Sequence, residues 1–173
     1  YTPDSAVSQQ FFQTVQNKMH WAAHGHTAAE IIAGRANANL PNMGMTALKG
    51  KTPTLQEARI AKNYLTEKEI ETLNYIVSLY LDFAELQARS GKAMYMKDWI
   101  LKLDDFLKVS DREVLTNKGT VSKIEAETKA KEEFEKYKHL TQDELTKVEQ
   151  DYIAAIESAE KKLLKKENGN GKA

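Results

Sequence analysis

Three of the chain's four histidines, His20, His24 and His26, fall within the stretch "KMHWAAHGHTAAEII", Lys18 to Ile32. His20 and His24 stand four apart, so on a helix they share a face. With His26 beyond Gly25 and Glu30 in the next turn, the set has the donors of a zinc or iron site. The spacing argues against one: no glutamate stands beside His20, as a helical metalloprotease requires, and no distant further ligand is identifiable. A structural reading is favoured instead. His24 and His26 flank a helix-ending glycine, where an imidazolium suits the C-terminal end of the helix dipole. His20, beside Trp21, reads most simply as a hydrogen-bonded core histidine. No metal or other cofactor is therefore assigned; His20, His24 and His26 are the residues that would hold a metal.

Other stretches offer less. "GKT" at Gly50–Thr52 lacks the glycine spacing of a phosphate-binding loop, has no strand before it, and runs at once into Pro53. The loop Pro41–Gly50 is unusual in carrying Met43, Met45 and Leu48. Those side chains either plug the core, the favoured reading, or line a binding surface. Trp21 and Trp99 sit on apolar faces and read as core. Asp104 and Asp105, or Glu132 and Glu133, point about 100° apart around a helix, so neither pair makes a catalytic dyad. No Ser–His–Asp or Ser–Lys nucleophile can be argued from spacing.

Bulk composition narrows the classes. At 173 residues and 19.6 kDa the chain suits one domain, or one domain with an appendage. It has no cysteine, which excludes disulfides and thiolate sites and favours a cytoplasmic protein. Its 25 Lys and Arg balance 25 Asp and Glu, so DNA is not expected as a partner of this segment. No apolar run reaches about 18 residues and no charged-then-apolar leader is present, so neither a membrane span nor a signal peptide is expected. The chain begins at Tyr1 without a methionine, which points to further sequence upstream.

The elements that would position these residues are all helices. Six Ser/Thr-x-x-Glu patterns stand where an apolar periodic segment begins: Thr27/Glu30, Thr54/Glu57, Thr66/Glu69, Ser110/Glu113, Ser122/Glu125 and Thr141/Glu144. Each is a candidate capping box. A seventh, Thr146/Glu149, falls inside a helix. The predicted fold is all-α, six to eight helices around a central apolar helix at about 67–89, with a C-terminal charged helical hairpin. The helices run over about 4–24, 27–38, 55–65, 67–89 and from Met96 through Leu107. The hairpin comprises 122–139 and 142–165, with a thin stripe of Ile124, Phe134, Tyr137, Leu145, Val148, Tyr152, Ile156 and Leu163 suited to docking. The expected division is a globular helical domain over 1–120, the hairpin over 121–166, packed on that domain or on a partner, and a disordered tail over 167–173.

The phrases "FFQTVQNKMHWAAHGHTAAEII", "PNMGMT", "IAKNYLTEKEIETLNYIVSLYLDFAELQA" and "MYMKDWILKLDDFL" resemble the bacterial virulence protein RhuM family over Tyr1 to about Tyr137. That resemblance implies a virulence association and an upstream segment like phage-type DNA-binding modules, but no settled activity. It also suggests a comparison with Fic/Doc proteins, whose His-Pro-Phe-x-Asp/Glu-Gly-Asn-Gly-Arg motif sits between two helices. His20 falls on the catalytic histidine and Gly25 on the first glycine. Trp21, His24, His26, Thr27 and Ala28 replace the proline, metal acid, asparagine, second glycine and arginine, which removes the parts that phosphoryl or nucleotidyl transfer needs.

Two functional readings follow. The first is a non-catalytic interaction or regulatory helical domain that presents the 37–53 loop or the C-terminal hairpin to a protein partner or to another copy. The second is a degenerate Fic-like domain, His20 its catalytic candidate, binding a nucleotide or phosphorylated ligand. Its candidate ligand-binding residues are His24, Gly25, His26, Thr27, Arg35, Asn42 and Lys49.

Overall fold

The computed structural model describes residues 5–169, with side chains up to Lys161 except that of Leu145. The described residues form six α-helices and no strand: α1 (Ala6–His24), α2 (Ala28–Arg35), α3 (Leu55–Ala58), α4 (Glu67–Arg89), α5 (Met96–Val109) and α6 (Lys123–Gly169). Two single 3₁₀ turns, Pro41–Gly44 and Ala61–Tyr64, interrupt the connections. The chain divides into two units, Tyr1–Phe134 and Glu135–Ala173.

Four of the six capping patterns start helices. Thr27, Thr54, Thr66 and Ser122 each accept from the amide three residues on, and Glu30, Glu57, Glu69 and Glu125 reach back to the cap. The other two do not, and for one physical reason. A hydroxyl already inside a helix can donate to the carbonyl four residues back instead of capping. Ser110 Oγ donates to Phe106 O at 2.8 Å, at the end of α5 rather than the start of a helix. Thr141 Oγ1 donates to Tyr137 O at 2.8 Å. The expected hairpin is thereby corrected: with no glycine or proline to stop it and no cap to restart it, α6 runs unbroken from Lys123 to Gly169. The helix also takes in 167–169 of the expected tail, while 170–173 lie outside the described residues, as do residues 1–4.

The helix expected over 55–65 is divided as well. Asn63 Nδ2 and the Tyr64 hydroxyl donate to the carbonyls of Glu57 and Ala58, taking acceptors that a continuing helix would use. The second helix stops at Arg35 rather than near Ala38, because the Ala38 amide donates to the buried Glu133 carboxylate at 2.7 Å.

The core of the first unit gathers Ile31, Met43, Tyr64, Leu65, Leu103 and Leu107, each under 2% exposed. Helix α4 buries Leu73, Ile76 and Tyr80, but Tyr75, Leu79, Leu81 and Leu86 stay more than half exposed, so its other side is left open. Met43 and Met45 are buried, as the core-plug reading of the loop expects. Met43 reaches its place through a left-handed turn: Asn42, Met43 and Gly44 have φ of 53°, 59° and 81°. A left-handed methionine costs about 1–2 kcal/mol, which its burial offsets with about 1.5–3 kcal/mol. Gly44 must be glycine for a second reason, since a Cβ there would lie 2.6 Å from Arg35 O.

Candidate functional site

The turn between α1 and α2 is built by Gly25, which adopts φ 77° and returns its amide to Trp21 O at 2.8 Å. That geometry brings the last turn of α1 against the start of α2. His20 Nδ1 and His24 Nε2 lie 2.9 Å apart, one donating and the other accepting a single proton. His20 is only 3% exposed. Burial, then the neighbouring His24 and Lys62, push its pKa down to about 4. His24 is lowered too, chiefly by burial; Glu69 opposes the shift, while His26 and Arg35 add to it. Both rings are therefore neutral at physiological pH. His24 Nδ1 is buried without a hydrogen-bond partner among the described residues. The His26 ring stacks on that of His24, centroids 6.1 Å apart, with its Nδ1 at 3.0 Å from His24 O. Among the described residues no group of three or more His, Cys, Asp or Glu could hold a metal ion.

A phosphate at this turn would need free amides at the N-terminus of α2. Those of Thr27, Ala28 and Glu30 are already bonded, to Glu30 Oε2, Asn17 Oδ1 and Thr27 Oγ1. The Glu30 carboxylate has a second task. Its Oε1 accepts from the amide and hydroxyl of Thr120 at 2.7 and 2.9 Å, which fastens the segment before α6 onto the α2 cap. Burial alone would raise the Glu30 pKa, but the amides of Thr120 and Thr27 outweigh it and bring it below the ordinary value. Gly119 makes this approach possible: a Cβ there would sit 2.6 Å from Thr27 Cγ2.

Arg35, the expected anion-binding cation, is likewise engaged. Its guanidinium donates twice to Glu69, both bonds 2.7 Å, and once to Tyr64 O at 2.9 Å. The two-pronged bond is the main reason the Glu69 pKa falls to about 2. Asn42 and Lys49 lie exposed in the 37–53 loop, with the Lys49 amide bonded to Glu57 Oε1 at 2.7 Å. His20, His24, Gly25, His26 and Thr27 thus meet at one turn, while Arg35 is held by Glu69 and Tyr64 O.

Sequence reasoning missed the long-range polar partners. Lys18, 8% exposed, donates to Leu115 O and pairs with Asp104, both at 2.8 Å. Glu133, 5% exposed, holds the Ala38 amide and Lys129 Nζ. Lysine and glutamate on otherwise apolar helix faces were the only signal available. Two clefts open elsewhere on the first unit. One, of about 280 Å³, is lined by Thr72, Tyr75, Ile76, Leu79, Phe106 and Leu107 with Ser110 and Arg112. The other, of about 440 Å³, lies along α4 from Glu67 to Ser78. His20 lines neither.

Compared with known proteins, residues 1–147 match the model of the virulence protein RhuM family. No curated protein and no solved structure matches the chain.

Proposed function

The chain belongs to the virulence protein RhuM family, and on that premise we propose that it is a non-catalytic interaction and regulatory helical domain of a virulence-associated bacterial protein. Its partner is another protein or a second copy of itself, met through the outer part of α6 or the rim of the 37–53 loop. One observation carries this reading. On α6, Val148, Tyr152, Ile153 and Ile156 expose between 43% and 67% of their surface in a chain whose candidate catalytic groups are already bonded to one another. Cytoplasmic placement fits the absence of cysteine, and no described helix is long and apolar enough to cross a membrane. DNA is not proposed as a partner of this neutral segment.

A thermal-shift screen with nucleotides and Mg²⁺, and with Zn²⁺, tests the non-catalytic half. A ligand at 100 times its Kd stabilises the native state by about 2.7 kcal/mol, or roughly 5 °C or more for a chain this size. We expect no such shift. A nucleotide shift that His20→Ala abolishes would overturn the reading in favour of a site at the histidines.

A further inference from the structure

One stripe of α4 opens onto a cleft. Thr72, Tyr75, Ile76 and Leu79 stand three and four apart and so share a face, and the last turns of α5 meet that face with Phe106, Leu107 and Ser110. The space between them, about 280 Å³, has room for several water molecules among walls that are mostly carbon. Ile76 and Leu107 are buried, at 6% and 0% exposure, whereas Tyr75 and Leu79 keep 63% and 54% of their surface open. Phe106 is held by its neighbours, its ring 5.8 Å from that of Tyr80 and 6.3 Å from that of Phe83. The cleft is therefore already formed, as small-molecule sites usually are.

The polar groups at its edge say what kind of molecule fits. The hydroxyls of Thr72 and Ser110 spend their hydrogens on Lys68 O and Phe106 O, at 2.9 and 2.8 Å. The Tyr75 hydroxyl and the Arg112 guanidinium are unspent donors: among the described residues neither has a hydrogen-bond partner. Asp111 and Glu113 flank Arg112 in the chain, yet neither forms an ion pair with it. The backbone carries Arg112 back to the cleft. Asp111 adopts φ 53°, its amide returns to Lys108 O at 3.1 Å, and the Arg112 amide returns to Leu107 O at 2.9 Å. A helix end closed in this way commonly sets an apolar residue against the position of Leu107. Here a cation stands there instead, at the edge of an apolar space.

We propose that this cleft binds an amphipathic carboxylate, a small organic acid whose hydrocarbon tail lies along Tyr75, Ile76, Leu79 and Phe106 and whose carboxylate is held by Arg112. A guanidinium meets a carboxylate with two parallel hydrogen bonds, and its weak hydration suits an apolar edge. The site lies in the first unit and stands apart from the interaction reading above. Titrating the full chain with octanoate, followed by amide NMR, should move the signals of Ile76, Leu79, Leu107, Ser110 and Arg112 together. Octylammonium has the same tail and the opposite charge, and should bind roughly tenfold or more weakly. Acetate, with the charge alone, should leave those signals in place. Arg112 is exposed, so its variants should keep the tryptophan-monitored melt. Arg112→Glu should reverse the preference between the two octyl compounds, and Arg112→Lys should retain it. Equal binding of the two compounds would overturn the proposal, as would an octanoate affinity unchanged by Arg112→Glu. Octanoate signals confined to another part of the chain, or none at all, would overturn it too.

Discussion

The α1–α2 turn and the outer part of α6 are opposites in composition and in what their surroundings do to them. The turn holds three histidines, a threonine, a glutamate and an arginine within reach, all residues able to do chemistry, and nearly every one is bonded to another: His20 to His24, Glu30 to Thr27 and Thr120, Arg35 to Glu69. The outer part of α6 holds no candidate metal group among its described residues, yet it leaves Val148, Tyr152 and Ile153 more than half exposed. Reactive residue types become structural when burial and partners consume their hydrogen-bonding capacity. Plain aliphatic and aromatic side chains become functional when nothing of their own unit covers them.

The comparison is most easily broken at Gly119. Its φ of 81° and the 2.6 Å approach to Thr27 Cγ2 leave no room for a side chain. Gly119→Val should cost about 3–4 kcal/mol from strain and lost capping, lowering Tm by roughly 6–16 °C. Gly91→Val is the control. Gly91 has φ 70° but nothing within 4 Å, so only the backbone strain of about 1–2 kcal/mol should appear. Equal losses at the two glycines would mean that the Thr120–Glu30 fastening contributes nothing.

Acid should loosen the turn next. His20 titrates near 4 in the folded chain against 6.5 unfolded, so the unfolded state takes up the proton first. Stability should be flat above pH 6.5 and fall between 6.5 and 4, by about 3 kcal/mol in all at 1.36 kcal/mol per unit. His24 acts in the same direction, and Glu69, lowered to about 2, extends the loss as pH falls from 4.5 towards 2. Urea unfolding at a series of pH values reads this directly. A stability that rises on acidification from 6.5 to 5 would show that the histidine pair welcomes charge.

On the other side of the comparison, effects should be small. Both tryptophans, Trp21 and Trp99, lie in the first unit and report its melting alone. Tyr152→Ser should leave that melt within about 0.5 kcal/mol, as exposed positions do. A larger loss would mean that the stripe supports its own domain rather than a partner. Smallest is Thr141→Ala. In a continuous helix it removes an unfavourable back-bond and should raise helicity by a few tenths of a kcal/mol in far-ultraviolet circular dichroism. If Thr141 capped a second helix, the same change would cost about 1 kcal/mol.

The sequence is legible where a local pattern has one physical outcome. The starts at Thr27, Thr54, Thr66 and Ser122 follow from a hydroxyl and a carboxylate three residues apart. The same letters at Ser110 and Thr141 mislead because the pattern does not record whether the chain before it is already helical. The His20–His24 contact is legible from a spacing of four. What fills the turn is not: Glu30 meets Thr120, Arg35 meets Glu69 and Lys18 meets Asp104, through chain separations that no local rule spans.

Those separations also set a timetable. Lys18 waits for Leu115, Glu30 for Thr120 and Ala38 for Glu133, gaps of 97, 90 and 95 residues. On a ribosome adding about 5–20 residues per second, the first of these closures comes roughly 5–20 s after its lysine has been made. Through that interval the partners of Lys18, Glu30 and the Ala38 amide are still untranslated. The first unit therefore completes itself late, once Glu133 has been made, and its opening helices are the segment that a nascent-chain chaperone would meet.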